Sequence, residues 1–181
     1  MVNIILALNI LFIGTNICSF GLCCKTQDSD ELILFTCKEG NCTLRLPAEP
    51  KETYSKTAKG STRSYRIIDN KCSFMFSAVE MDELKGLTKS KIEKILDNTN
   101  RWMDAKYSKT TLNEKVTLGE YPGRESRQES TNVQKTDGME VTRARVFIVK
   151  TKLYIIVITG DKQYVDSDRS SEVLKSLKLS E

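Results

Sequence analysis

A pair of cysteines is the first place in this sequence where chemistry could occur. Cys37 and Cys42 enclose a four-residue segment with Gly40 and Asn41 at its tip, a composition typical of a β-hairpin turn. This spacing lets the two thiols face each other across the hairpin, so we predict a local disulfide. Zinc is the weaker alternative, because it needs four ligands and a chain without histidine could add only Cys72 and the N-terminal cysteines.

A group of arginines is the second place in the sequence where chemistry could occur. Arg124, Arg143 and Arg145 lie on two segments that we expect to be neighbouring strands. If these strands pair, the three arginines, with Glu125 and Arg127, could form a cross-strand ladder of charges at the edge of a sheet. The alternative is an arginine face that binds a carboxylate or a phosphate through paired hydrogen bonds.

The sequence contains no histidine. This absence excludes Ser-His-Asp and Cys-His nucleophile pairs, histidine general bases and every histidine-containing metal site. The acidic clusters do not replace them, since Glu80, Asp82 and Glu83 have no complementary group in the sequence. The segment Asp166-Ser167-Asp168 lacks the glycine and the glutamate of a calcium loop, and helix capping explains it better. We therefore expect no enzymatic activity, and no catalytic, cofactor-binding or metal-binding residues.

The N-terminal segment indicates export. Residues 1–24 carry no charged side chain, and Val2–Ile13 is almost wholly apolar, as in a secretory signal peptide. Three alternatives remain: cleavage near Gly21, retention as a membrane anchor, or lipid attachment at Cys23 or Cys24. We expect the protein to be secreted or periplasmic, or anchored to a membrane through residues 1–24.

Length and charge bound the domain organisation and the class of partner. We predict a signal peptide or anchor over residues 1–21, a tether over 22–30 and a single domain over 31–181, which is long enough for its own core. The formal charge is +4, but lysine and arginine are interleaved with aspartate and glutamate. Such a balance predicts no nucleic-acid partner.

Hydrophobic periodicity predicts an antiparallel sheet. The predicted strands cover residues 31–37, 42–46, 51–57, 64–69, 72–79, 111–118, 124–133, 141–149 and 153–159. The strand at 51–57 alternates weakly and is expected at an edge. A loop is expected at 58–62, and turns at 120–123 and 150–151.

Two predicted helices complete the pattern. An amphipathic helix begins at Thr88 or Ser90, since either can cap it and Ser90 with Glu93 has the spacing of a capping box. A second helix spans residues 166–177. The strand at 153–159 is apolar on both faces, so it should lie centrally, with helices over both faces of the sheet. The pattern predicts an α+β fold, arranged as an α/β/α sandwich with a central antiparallel sheet.

Several short motifs resemble PsbP-like domains, notably the uncharacterised secreted members found in bacteria. Leu46-Pro47-Ala48-Glu49-Pro50 is similar to the LP-x-x-P segment of these domains. The other matching segments are 119–125 (GEYPGRE), 145–149 (RVFIV), 153–154 (LY), 157–160 (VITG) and 172–177 (EVLKSL). The sequence departs from the family at the turn Lys150-Thr151, where glycine or asparagine is usual, and in its added cysteine pair.

The resemblance implies an α/β/α sandwich with a non-enzymatic binding or assembly role. No ligand-binding residue transfers, because the matching positions build the scaffold. We therefore expect an exported, membrane-associated monomer with a protein or lipid partner. The alternative is a small-ligand carrier or an enzyme with a pocket between helix and sheet, lined by Trp102, Tyr107 and Tyr154.

Overall fold

The computed structural model describes residues 31–57, 60–68, 71–103, 108–136 and 138–180. Its strands are β1 (Ile33–Cys37), β2 (Cys42–Leu46), β3 (Lys51–Thr57), β4 (Gly60–Ile68), β5 (Cys72–Met81), β6 (Ser108–Leu118), β7 (Tyr121–Ser130), β8 (Val141–Val149), β9 (Lys152–Gly160) and β10 (Lys178–Leu179). Its helices are α1 (Lys89–Met103), α2 (Lys162–Val165) and α3 (Asp168–Lys175), with 3-10 turns at Asp82–Leu84 and Val133–Thr136. The described part of the chain is therefore an α+β fold built mainly from antiparallel strands. The predicted leader (1–21) and tether (22–30) lie outside it.

The strands form two sheets. The large sheet has the order β3-β4-β5-β9-β8-β7-β6, and the small sheet has the order β1-β2-β10. Every neighbouring pair is antiparallel. The middle strand of the large sheet is β9, which confirms that the most apolar strand lies centrally, and β3 lies at an edge as predicted. The sequence prediction lacked β10, a two-residue strand that pairs with β2.

The apolar side chains of the large sheet divide into two buried clusters. Because successive residues of a strand point to opposite faces, β9 contributes alternate side chains to each: Tyr154, Ile156 and Ile158 to the first, and Leu153, Ile155 and Val157 to the second. The small sheet and the C-terminal helices complete the first cluster, with side chains such as Leu44 and Leu174. Leu96 of α1 completes the second and has no exposed surface. We call the two sides of the large sheet the small-sheet face and the α1 face.

The predicted turn at 120–123 is wrong for its last three residues, because β7 already begins at Tyr121. The chain reverses at Gly119, whose φ of +59° is a left-handed conformation that glycine adopts without strain. Gly123 lies inside β7 for another reason. A Cβ atom there would lie 2.4 Å from Cδ1 of Phe147 on the neighbouring strand, so only glycine allows this close approach.

Other boundaries also differ from the prediction. The expected loop at 58–62 is wrong for its last three residues, since β4 begins at Gly60, while residues 58 and 59 lie outside the described residues. The tight turn at 150–151 is confirmed, and Lys150 adopts a positive φ of 55° in it. Among the described helices, none combines the length and the apolar composition that crossing a bilayer requires.

The helix caps show which of the predicted signals are used. Thr88 precedes α1, and its hydroxyl oxygen accepts a hydrogen bond from the Lys91 amide at 3.4 Å. Ser90 lies inside the helix, so the predicted capping box does not form, and Glu93 pairs with Arg124 instead.

The predicted closing helix at 166–177 corresponds to α3, whereas the short helix α2, which precedes it, was not predicted. Ser167 caps α3, because its hydroxyl oxygen accepts a hydrogen bond from the Ser170 amide at 3.2 Å. Capping at the 166–168 segment is therefore confirmed.

Candidate functional site

The register of β7 and β8 separates the three arginines of the predicted binding face. Arg124 lies opposite Val146, and Glu125 lies opposite Arg145. Because consecutive residues of a strand point to opposite faces, Arg124 lies on the α1 face, whereas Arg143 and Arg145 lie on the small-sheet face. The structure does not bring the three guanidinium groups onto one surface.

On the α1 face, Arg124 joins β7 to the helix. Its Nη2 lies 2.5 Å from Oε2 of Glu93 and 2.6 Å from Oδ1 of Asp97, and its Nε donates to the same Asp97 oxygen at 3.0 Å. Its Nη1 donates to the carbonyl oxygen of Gly123 at 2.9 Å. The hydrogen bond from Arg124 lowers the pKa of Glu93 from its usual value. With its side chain only 3% exposed, Arg124 holds α1 in place rather than facing a ligand.

On the small-sheet face, Glu125 lies between two arginines. Its Oε1 accepts a hydrogen bond from Nη2 of Arg143 at 2.9 Å, and its Oε2 accepts one from Nε of Arg145 at 2.7 Å. Arg143 also donates to the hydroxyl of Ser171 on α3, at 2.9 Å, while its buried Nε has no hydrogen-bond partner among the described residues. Burial raises the pKa of Glu125, but the hydrogen bonds from the two arginines outweigh burial and lower it. Glu125, Arg143 and Arg145 thus form the cross-strand charge ladder that was the first of the two predicted interpretations. Arg124 is not part of it, and the edge of the sheet is β6 rather than β7 or β8.

A further ion-pair group on this face was missed by the sequence reasoning. Arg127 holds Asp166 through two hydrogen bonds of 2.8 and 2.7 Å, and Lys162 contacts the same carboxylate at 3.1 Å. The hydrogen bond from Arg127, the main cause, and that from Lys162 lower the pKa of Asp166 to about 2. The i,i+4 spacing of Lys162 and Asp166 was the available signal. It does not reveal Arg127, which is 39 residues away in sequence.

The cysteine pair lies in the small sheet, beneath its first turn. Cys37 and Cys42 are direct partners across β1 and β2, both are buried, and both thiols are free in the structure. A Cβ atom on Gly40 would lie 2.8 Å from Sγ of Cys37 and 3.1 Å from Sγ of Cys42, so the turn needs glycine to pass over the sulfurs. Tyr154 of β9 fixes this turn, because its hydroxyl donates to the Gly40 carbonyl oxygen at 2.5 Å.

The environment of the two thiols makes them unequal. The hydrogen bond with Cys42 lowers the pKa of Cys37 to about 6 against the effect of burial, and contacts with the Tyr65 hydroxyl and the Gly40 amide contribute further. The same hydrogen bond, with burial, raises the pKa of Cys42. Because the two buried thiols occupy directly paired positions of one hairpin, the chemistry open to this pair is oxidation to a disulfide.

A cleft of about 350 Å³ lies at the N-terminal end of α1, between the helix and the large sheet. Its lining residues are Leu84, Lys85, Gly86, Leu87, Ile92, Tyr121, Pro122, Ile148, Lys150 and Thr151. Ile92 belongs to the predicted apolar stripe of the helix, but no motif marked the others.

Of the three residues expected to line a pocket, Tyr154 does not line this cleft. The side chains of Trp102 and Tyr107 lie outside the described residues. Tyr154 is buried in the cluster on the opposite face, where its ring stacks on Phe76.

Within the described ranges, no group of three or more cysteine, aspartate and glutamate side chains could hold a metal ion. The features that remain as candidates for function are therefore the cysteine pair, the cleft and the exposed apolar side chains.

Comparisons with known proteins bear on the fold. No protein-family model matches the sequence, and no curated protein matches it. The solution structure of cyanobacterial PsbP (CyanoP) from Synechocystis sp. PCC 6803 is similar, with a TM-score of 0.51 and 12% identity over 86% of this chain and 96% of that one. A protein of unknown function from Pseudomonas aeruginosa has a TM-score of 0.41 and 9% identity over 75% of this chain and 86% of its own. The likeness to cyanobacterial PsbP confirms the expectation from the sequence motifs: this chain has a PsbP-like fold.

Proposed function

We propose that this chain is an exported, non-enzymatic binding or assembly module that works at a membrane with a protein or lipid partner. One observation carries the proposal: the first strand of the domain, which follows the apolar N-terminal segment closely in sequence, exposes apolar side chains. Leu34 is 70% exposed and Ile33 is 38% exposed, on the edge strand β1 of the small sheet. A membrane surface or a membrane-bound partner that covered Leu34 would remove this apolar area from water.

The length of the intervening chain supports this placement. From Cys24 to Leu34 the chain reaches at most about 35 Å when fully extended. An N-terminal segment held in a membrane would therefore keep β1 near the membrane surface. The resemblance to PsbP-like domains, which implies binding or assembly rather than catalysis, points the same way.

Export is tested separately from binding. Alkaline phosphatase, which is active only after export, is fused to the C-terminus, and the mass of the mature N-terminus is measured. We expect an active fusion, and the mass distinguishes cleavage, retention and lipidation of residues 1–24. An inactive fusion found in the cytosol would contradict export.

Partner binding is tested by affinity purification from native membranes with the wild-type protein and Leu34→Ser. Ile68→Ser is the matched control, because Ile68 is 64% exposed but lies at the end of β4 in the large sheet. We expect Leu34→Ser to lose the co-purifying protein or lipid and Ile68→Ser to retain it. Equal retention by both variants would remove β1 as the binding surface.

The export proposal includes a disulfide between Cys37 and Cys42, which their position opposite each other supports. Closing so short a loop is worth about 2 kcal/mol in the chain-entropy model. We expect reductant to lower the free energy of unfolding of the exported protein by about this amount, and to leave the Cys37→Ser/Cys42→Ser variant unchanged. Alkylation of both thiols in the unreduced exported protein would contradict the disulfide.

We further infer that α1 and the C-terminal helices form the outer layers of an α/β/α sandwich. Leu96 of α1 and Leu174 of α3 belong to different core clusters, which supports this layering. An experimental structure with both helices on one face would contradict it. The proposed module is monomeric and does not bind nucleic acid; light scattering and a nucleic-acid titration at low salt test these two points.

A small-ligand carrier is the second candidate function. The cleft of about 350 Å³ between α1 and the large sheet favours it, since this volume lies within the range of small-molecule pockets.

A further inference from the structure

We propose that the cleft at the N-terminal end of α1 binds a single-chain aliphatic carboxylate. The aliphatic chain of this ligand would lie in the cleft, and its carboxylate would lie between Lys85 and Lys150. This inference rests on the second candidate function, the small-ligand carrier, and names the ligand class for it. It does not depend on the membrane module or on the surface around Leu34.

The interior of the cleft is apolar. Ile148 of β8 and Leu84 of the 3-10 turn are 1% and 3% exposed, and both belong to the core cluster of the α1 face. Leu87, just before α1, and Ile92, in its first turn, pack against the same cluster. An aliphatic chain in this position would extend the packing of the core and leave water, which favours binding by about 0.8 kcal/mol for each buried CH₂ group.

The charges at the cleft are of one sign. Lys85 and Lys150 are its charged lining residues, and no acidic residue lines it. Neither lysine side chain makes an ion pair or a hydrogen bond with another described residue. Glu80, which accepts a hydrogen bond from the lining residue Thr151 at 2.6 Å, lies 3.9 Å from Lys152 instead. The two unpaired lysines therefore complement an anionic group on an apolar ligand.

The size of the cleft selects one chain. A volume of about 350 Å³ lies near the lower end of the range for small-molecule pockets, about 300–1,000 Å³, and is too small for both chains of a phospholipid. A peptide would place backbone N–H and C=O groups against apolar walls that cannot pair with them. Gly86, at a φ of +70°, has no atom within 4 Å of a Cβ position, so the rim is open beside Lys85.

The test uses the mature protein as recovered from the exporting cell, held in lipid nanodiscs if residues 1–24 are retained. Decanoate and decanol are titrated by calorimetry into the wild type, Lys85→Gln/Lys150→Gln and Ile92→Trp. The matched control is Lys91→Gln/Lys94→Gln, which removes the same charge from the exposed side of α1, outside the lining of the cleft. Circular dichroism confirms that each variant is folded.

We expect decanoate to bind the wild type and the control with equal affinity, and Lys85→Gln/Lys150→Gln about tenfold more weakly, because two partly solvated ion pairs are lost. Decanol should bind the wild type more weakly than decanoate and should not distinguish the lysine variants. Ile92→Trp should block both ligands.

Three results would overturn the inference: no decanoate binding above the level of Ile92→Trp, equal weakening in the two lysine variants, or equal affinity of the wild type for decanol and decanoate. Leu34→Ser should keep decanoate binding, so failure of the membrane module and failure of the cleft are seen separately.

Discussion

The two faces of the large sheet pair buried arginines with carboxylates in opposite ratios. On the α1 face, one guanidinium group serves two carboxylates, those of Glu93 and Asp97. On the small-sheet face, the carboxylate of Glu125 serves two guanidinium groups, those of Arg143 and Arg145.

The two groups of ion pairs also differ in their exposure to water, which affects how much each one matters for stability. The side chain of Asp97 is 59% exposed, so it can be hydrated if its partner is removed. The side chains of Glu125, Arg143 and Arg145 are between 8% and 14% exposed, so each depends on the others. The small-sheet face therefore depends on one central charge, whereas α1 is attached by a contact that water can replace in part.

The largest effect is expected from Glu125→Gln. This change leaves two nearly buried guanidinium groups without a counter-charge, and we expect it to lower the free energy of unfolding by about 3–5 kcal/mol, measured by urea denaturation. The control is Glu129→Gln, since Glu129 also pairs with an arginine but is 43% exposed. Similar losses of unfolding free energy in both variants would show that burial of Glu125 does not make its ion pairs more important for stability.

A smaller effect is expected from Arg124→Met. The freed carboxylates of Glu93 and Asp97 gain water, so we expect a loss of about 2–3 kcal/mol, accompanied by faster hydrogen exchange of the α1 amides. Lys115→Met is the control, because Lys115 lies 3.5 Å from Glu93 but is 76% exposed, and its loss should stay within about 0.5 kcal/mol. If Arg124→Met cost more than Glu125→Gln, the small-sheet face would not be the more dependent one.

The smallest effect concerns pH. The pKa of Asp166 is lowered from 3.8 to about 2, so the folded state favours the ionised carboxylate. Its stabilising contribution is complete above the unfolded-state value of 3.8 and is lost as the pH falls toward 2. We expect Asp166→Asn to reduce the fall in unfolding free energy over this range, measured by urea denaturation at each pH. Parallel pH profiles for the wild type and the variant would show that the pair with Arg127 adds no stability.

The sequence predicted most elements of the fold, because their signals are local. The alternation in β8 and β9 and the apolar stripe of α1 repeat within a few residues, so they do not depend on the partner that each element meets. The errors lie where a residue type has two uses. Gly123 follows a proline, as in a turn, but the approach of Phe147 requires it inside a strand.

Little of the candidate site was predictable. The cysteine pair was predictable, because Cys37 and Cys42 belong to one hairpin and their spacing alone makes them partners. The cleft was not, because Leu84, Ile92 and Ile148 come from separate elements whose relative positions no local pattern specifies.

The arginines show this division most clearly. Periodicity is a property of consecutive residues, so the strand positions of Arg124, Arg143 and Arg145 were predictable from the local sequence. Their partners depend on how distant segments pack: Arg124 contacts α1, while the other two contact Glu125. The physical reason is register: side chains alternate along a strand, so the pairing of Glu125 with Arg145 places the adjacent Arg124 on the opposite face.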